Sequence, residues 1–400
     1  MRRLLLVFLA FFAAAGAASA QTPDTVILIS IDGFRADYLD RKVTPNLNAI
    51  AKTGVLAAGM RPSFPSITFP NHYTLVTGKR PDRHGVVSNA MEDPSIPGVR
   101  FSMSNRDAVM DRRWWDEAEP IWVTAEKNNI RTATMFWPGS EAPVQGVRPH
   151  DWRIFDGSLA AERRVQTVID WLARPAVERP KFVTLYFDDV DHAGHAYGPE
   201  AKDTNKAIAK VDAAIGHLWN AISKLNLKAD VIVVSDHGMA AIDEKRTIRL
   251  DQIALTGSYR MLYAGAYAAL EPTAGQKSAL ANALLQPHPH MQCWPKENIP
   301  SQFHYGRNPR VPAFICLAQT GWQILDRGPK PGFSGGAHGF DPNALEMRAL
   351  FLAAGPSFLS GVKIEVFDNV DVYPLIMKLL KLPEEPNDGS LGPIRASLKP

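Results

Sequence analysis

Three apolar, β-branched runs in this chain each end in acid. Thr25–Ile31 leads into Asp32, Phe182–Phe187 into Asp188, Asp189 and Asp191, and Val231–Val234 into Ser235 and Asp236. Histidines stand close by in glycine-containing loops: His195 after Asp191, His237 beside Asp236, and His338 within Gly335–Phe340. Carboxylates crowded at one edge repel one another and are costly to bury unpaired, and divalent cations relieve both problems. Mixed His and Asp donors suit zinc better than calcium or magnesium. Three Asp and three His allow two metal ions, with a hydroxyl at Thr68 available to bridge to one of them. Singly, each Asp has a plainer reading as a turn or helix-capping residue.

Thr68 lies in Pro65-Ser66-Ile67-Thr68-Phe69-Pro70-Asn71-His72-Tyr73. Pro70 suits the first residue of a helix, and Gly78 is a natural stop for it. Thr68 then falls just before a helix N-terminus, where free N–H groups and the positive end of the dipole favour a phosphoryl group. Alone, that position also fits an ordinary N-cap hydroxyl. Next to a metal-binding set the nucleophile reading prevails, because coordination lowers the pKa of a hydroxyl enough for attack. His72 fits a packed helix position, and His192 points away if Asp191 and His195 face the metal.

These residues must be delivered by a sheet. The apolar runs have the pattern of buried parallel strands, and sites form at the carboxyl ends of such strands. Asp32, Asp191 and Asp236 are therefore expected on one edge. Further strands are expected at Arg131–Phe136 and Ala349–Ala353. Helices are expected from Thr44-Pro45 to Gly54, over Ile121–Asn129, after a Ser158 cap, through Ile208–Leu225 at 3/4 spacing, and over Val372–Leu380. Residues 92–118 read as loop. The expected fold is α/β, with a central, mostly parallel sheet flanked by helices in a single catalytic domain over 21–400. Residues of about 240–335 are Pro-rich and less periodic, and read as an inserted smaller subdomain. They carry Cys293 and Cys316, the only cysteines, and an exported pair favours a bridge over free thiols.

Residues 1–20 have the form of a signal peptide: Arg2 and Arg3, an apolar run from Leu4 to Ala15, and Ala18-Ser19-Ala20 at the cleavage site. The run is too short for a transmembrane anchor. Export to the periplasm or beyond is expected. Taking Arg2 and Arg3 from 44 basic residues leaves 42 against 41 acidic ones, which gives no electrostatic case for nucleic-acid or membrane binding.

Asp32-Gly-Phe-Arg, Thr68-Phe-Pro-Asn-His, Asp191-x-x-Gly-His195, Ser-Asp236-His237-Gly and Gly-x-His338-Gly occur in that order. The ordered set resembles the signature of the nucleotide pyrophosphatase/phosphodiesterases of the alkaline phosphatase superfamily, over roughly Val26 to Leu380. The resemblance implies an exported, bacterial member with an alkaline phosphatase-like core. It implies one zinc held by Asp32, Asp236 and His237 with Thr68, and a second held by Asp191, His195 and His338. Thr68 would be the nucleophile of a covalent intermediate, with Asn89 hydrogen-bonding a phosphoryl oxygen and the Phe69 N–H as a further donor. Phe69 and Phe155 would sandwich a nucleobase, in a pocket that the Trp137 segment shapes. The implied substrate is a small nucleotide or other phosphodiester, cleaved to a nucleoside 5′-monophosphate. Phe155-Asp156 stands where the family often has Tyr-Asn, which bears on base preference.

Other classes fit less well. A phosphomonoesterase usually needs a cationic donor beside the nucleophile, where this chain has Phe69. A sulfatase needs a Cys or Ser in a C/S-x-P-x-R setting. A phospholipid or sphingolipid-type phosphodiesterase shares the metal site and is the main alternative. A catalytically silent zinc module sits poorly with a complete ligand set and Thr68.

Overall fold

In the computed structural model, residues 24–400 are described, and the leader expected at 1–20 lies outside them. The central sheet has eight strands among the described residues: β1 (Thr25–Ile31), β2 (Val55–Ala57), β3 (Thr132–Met135), β4 (Asp151–Trp152), β5 (Phe182–Phe187), β6 (Ala229–Val234), β7 (Phe351–Ala354) and β8 (Val362–Ile364). Their spatial order is β8-β2-β7-β6-β1-β5-β3-β4. β1 pairs in parallel with both β5 and β6, and only β7 runs antiparallel to its neighbours.

The continuous apolar runs follow from burial on both faces. Val26 and Leu28 of β1 join one core while Ile27, Ile29 and Ile31 join another. Helices α1 (Pro45–Lys52), α3 (Ala161–Leu172) and α5 (Lys202–Lys224) pack on the second core through Leu47, Val165, Val168, Ile208, Val211 and Leu218. Helices α2 (Thr68–Thr77) and α6 (Val372–Leu380) pack on the first through Leu75, Val76, Leu375 and Ile376. Helix α4 (Asp189–Tyr197) follows directly on β5.

A third core gathers residues between Ala240 and Met347. Its centre is a four-stranded antiparallel sheet in the order Tyr259–Tyr263, Tyr267–Pro272, Phe314–Ala318, Met291–Pro295. Cys293 and Cys316 are direct cross-strand partners there and are joined by a disulfide. Ala240–Asp243 pairs antiparallel with Ser334–Ala337 at the foot of this region.

Three local expectations need correction. Helix α2 begins at Thr68, two residues earlier than the proline rule places it. The first helical N–H groups have no partner within the helix, so Pro70 is as tolerable third as first. Ser158 does not cap α3, which starts after Ala160. The hydroxyl and N–H of Ser158 both turn back to Asp156 Oδ1, at 2.6 and 2.9 Å. Residues 92–118 are not wholly loop, since Ala90–Glu92 and Arg100–Ser102 form a hairpin and Arg106–Met110 a helix capped by Asn105.

Candidate active site

Neighbouring strands bring three carboxylates together. Asp32 follows β1, Asp236 lies two residues past β6, and Asp191 sits in the first turn of α4 after β5. Gly33 makes the approach possible: its φ is +68°, and a Cβ there would lie 3.0 Å from both the Cα and Oδ1 of Asp191. His195 stands one turn beyond Asp191 on the same helix, and His338 follows the Ser334–Ala337 strand. Two trios result, Asp32/Asp236/His237 and Asp191/His195/His338, with ligand atoms in each trio within 4.8 Å of one another.

In the first trio His237 Nε2 lies 2.9 Å from Asp236 Oδ2 and 3.4 Å from Asp32 Oδ1. In the second, His195 Nε2 lies 3.4 Å from Asp191 Oδ2, and His338 Nε2 is 3.6 Å from Asp191 Oδ1 and 3.1 Å from His195 Nε2. The His237 and His338 rings stack at 3.5 Å, so the trios adjoin. Nδ1 of His195, His237 and His338 lies 2.8, 2.9 and 3.1 Å from the carbonyls of Gly336, Gly238 and Ser66. A carbonyl can only accept, so each Nδ1 carries the proton and each Nε2 turns toward the acids.

The charges in this cluster are unbalanced. Burial, then the neighbouring Asp236 and Asp191, push the Asp32 carboxyl well above the usual range. Burial also acts to raise Asp236, but His237 and His72 outweigh it and hold that group well below the usual range. Burial would lower His237, yet Asp236 raises it, whereas burial, His237 and His195 hold His338 well below an ordinary imidazole. Asp32 Oδ1, Asp191 Oδ1 and Asp236 Oδ2 are buried and accept no hydrogen bond among the described residues. Orphaned carboxylate oxygens facing imidazole Nε2 atoms are a donor set suited to divalent metal ions such as zinc.

Thr68 is buried, and its side chain does not cap α2; the cap position is Ile67, extended and without a side-chain bond. Thr68 Oγ1 instead lies 3.3 Å from His237 Nε2. Asn89 is buried nearby, and its Oδ1 accepts the Phe69 N–H at 2.9 Å. That N–H is therefore committed to Asn89, unlike the free donor that the resemblance implies. A cavity of about 180 Å³ opens beside Thr68, lined by Asp32, Phe69, Phe155, Tyr186 and Trp137 among others. Phe155 is 39% exposed at this cavity, while Trp137 is buried with its indole N–H given to the His72 carbonyl at 3.1 Å.

Several contributors were not singled out by sequence reasoning. Tyr186 donates to Asp32 Oδ2 at 2.6 Å; a phenol inside an otherwise apolar strand is a signal that could have found it. Arg106 and Glu141 pair on the cavity wall, and Arg164 pairs with Asp188 at 2.7 Å beside it. His72 is fully buried, as its helix position suggests, and its Nδ1 also lies 2.9 Å from the Thr68 carbonyl and 3.3 Å from Asp236 Oδ2. His192 is exposed and lies beside Asp188, outside both trios.

Comparison with known proteins finds similarity over most of the chain. A family model described as type I phosphodiesterase / nucleotide pyrophosphatase matches residues 26–341. An uncharacterized pyrophosphatase/phosphodiesterase of Schizosaccharomyces pombe is 38% identical over 388 residues, covering 92% of this chain and 79% of that protein. Human ectonucleotide pyrophosphatase/phosphodiesterase family member 1 is 34% identical over 397 residues, covering 96% of this chain; the chain spans 42% of that protein's length. The structure of murine ectonucleotide pyrophosphatase/phosphodiesterase 5, an inactive variant in complex with AMP, has a TM-score of 0.90 at 32% identity, over 94% of this chain and 100% of that one. These relatives are eukaryotic and lend no support to a bacterial source. With a family match over most of its length, the chain belongs to the type I phosphodiesterase / nucleotide pyrophosphatase family and is a hydrolase of that kind.

Proposed function

We propose that this site cleaves phosphodiester and pyrophosphate bonds of small nucleotides, with Thr68 as nucleophile and two zinc ions per chain, and releases nucleoside 5′-monophosphates. The observation that carries the reading is a buried, non-capping threonine hydroxyl 3.3 Å from His237, beside three buried carboxylate oxygens that accept no hydrogen bond. Asp32, Asp236 and His237, with Thr68, would hold one ion, and Asp191, His195 and His338 the other. When bound, the ions supply Lewis acidity that lowers hydroxyl and water pKa values and offsets phosphoryl charge.

The chain's own residues do the rest. The Thr68 oxygen attacks phosphorus, the leaving group departs, and a threonine-linked nucleotidyl ester forms. Water then attacks the same phosphorus and returns the hydroxyl to Thr68. Asn89, its Oδ1 fixed by the Phe69 N–H, keeps its Nδ2 hydrogens for a phosphoryl oxygen. Phe69 and Phe155 hold the base between apolar faces, and a murine relative in complex with AMP supports a nucleotide as the ligand. The inactive form of that relative is a threonine-to-alanine variant, which supports a reading with an essential threonine. Among the described residues no helix is long and apolar enough to cross a membrane. We further propose export by the 1–20 leader to the periplasm or the medium, and residues of about 240–335 as an inserted subdomain.

A substrate panel tests the reading. p-Nitrophenyl-TMP should turn over faster than p-nitrophenyl phosphate and p-nitrophenyl-phosphocholine, lose its turnover on chelation, and regain it with zinc. Faster turnover of the phosphocholine substrate would replace the nucleotide reading with the lipid-type one.

A further inference from the structure

Asn89 sits on the segment from Gly85 to Asp93, and that segment is gripped by residues from a different part of the fold. The hydroxyls of Tyr267 and Ser88 share a hydrogen bond at 2.7 Å, and Tyr305 donates to the Val87 carbonyl at 2.9 Å. Arg310 donates to the Gly85 carbonyl at 2.9 Å and to Asp93 Oδ2 at 2.5 Å, so it holds both ends. Tyr267 belongs to the four-stranded antiparallel sheet, and Tyr305 and Arg310 lie between two of its strands. None of the three belongs to the eight-stranded sheet that delivers the carboxylates.

The two phenols reach the Thr68 side as well. Phe64, four residues before Thr68, packs edge-on against Tyr267 at 6.0 Å and Tyr305 at 5.2 Å. One buried aromatic cluster thus touches the segment that leads into Thr68 and the segment that presents Asn89. Burial pushes both phenols well above their ordinary pKa, so they remain neutral hydroxyls.

We propose that Tyr267 and Tyr305 are positioning residues that set the Asn89 carboxamide relative to Thr68. Their two hydrogen bonds fix the chain one and two residues before Asn89, and the Phe69 N–H then fixes its side chain. The four-stranded sheet is in this way a buttress for phosphoryl recognition. The proposal rests on Asn89 being the phosphoryl donor.

Tyr267→Phe, Tyr305→Phe and the double Phe variant keep the buried rings and remove only the hydroxyls. Each is measured with p-nitrophenyl-TMP in the native and Asn89→Ala backgrounds, together with zinc content. The double variant should lose about tenfold in kcat with KM nearly unchanged, a fraction of what a lost donor or a displaced group costs. Zinc content should not change. In the Asn89→Ala background the same substitutions should have no further effect on kcat, because they act through the group already removed. An equal loss in both backgrounds, or no loss in either, would overturn the proposal. Each single variant, read the same way, decides the question if the double does not fold. Asn89→Ala with unchanged kcat would instead overturn the donor reading, and the proposal with it.

Discussion

His195, His237 and His338 each give the Nδ1 proton to a main-chain carbonyl, and this one repeated bond turns toward the acids the nitrogen that would face a metal ion. Burial and two neighbouring imidazoles disfavour the charged form of His338, which leaves its Nε2 lone pair available to a metal ion. His338→Ala should therefore weaken one zinc site and spare the other. We expect dialysed protein to retain about one zinc fewer per chain, with activity partly restored by added zinc. Full zinc content after dialysis, measured by elemental analysis, would contradict the role given to His338. His72 shows where residue-level reading stops. Its helix position announces burial, but its approach to Asp236 joins residues 72 and 236, and local spacing carries no record of that.

The elements were legible where periodicity is strong. β1, β5 and β6 stand out because both of their faces are buried, and the meeting of Asp32, Asp191 and Asp236 follows from parallel strands ending at one edge. Helix starts were less legible: Pro70 and Ser158 are both ordinary signals, but a proline is tolerated anywhere in the first turn and Ser158 bonds back to Asp156, so the helices start at Thr68 and Ala161. The hairpin at Ala90–Glu92 and Arg100–Ser102 is short, and its buried centre rests on Met91 and Phe101, too few residues for a pattern. A buried carboxyl at the start of helix α6 makes stability there depend on pH. Asp371, just before it, accepts the Ser390 N–H at 2.7 Å, and burial with Asp368 nearby raises its carboxyl to about 6. A carboxyl raised on folding contributes stability while protonated, below its unfolded value of about 3.9, and loses it as pH rises through the folded value. Asp371→Asn mimics the neutral form and should raise Tm at pH 7.5 by about 2 °C, with the difference vanishing near pH 4. A lower Tm at pH 7.5 for the Asn variant, by scanning calorimetry, would contradict this.

At the scale of the molecule, two cores lie on opposite faces of the sheet that ends in the carboxylates, and the first of them reaches through Tyr267 and Tyr305 to the segment that carries Asn89. The family and the α/β architecture were legible because the motifs recur in order along the chain. The aromatic grip on the Asn89 segment was not, since Tyr267, Tyr305 and Val87 meet only in three dimensions. The central claim is that Thr68 is the nucleophile rather than a structural hydroxyl, and kcat of Thr68→Ala, with zinc content determined on the same sample, tests it most directly. The six other proposed ligands remain in the variant, so zinc should stay nearly complete while kcat falls at least ~10³-fold, about 4 kcal/mol. Thr68→Ser, which keeps the hydroxyl, should retain measurable turnover. Wild-type kcat in a zinc-replete Thr68→Ala enzyme would contradict the account.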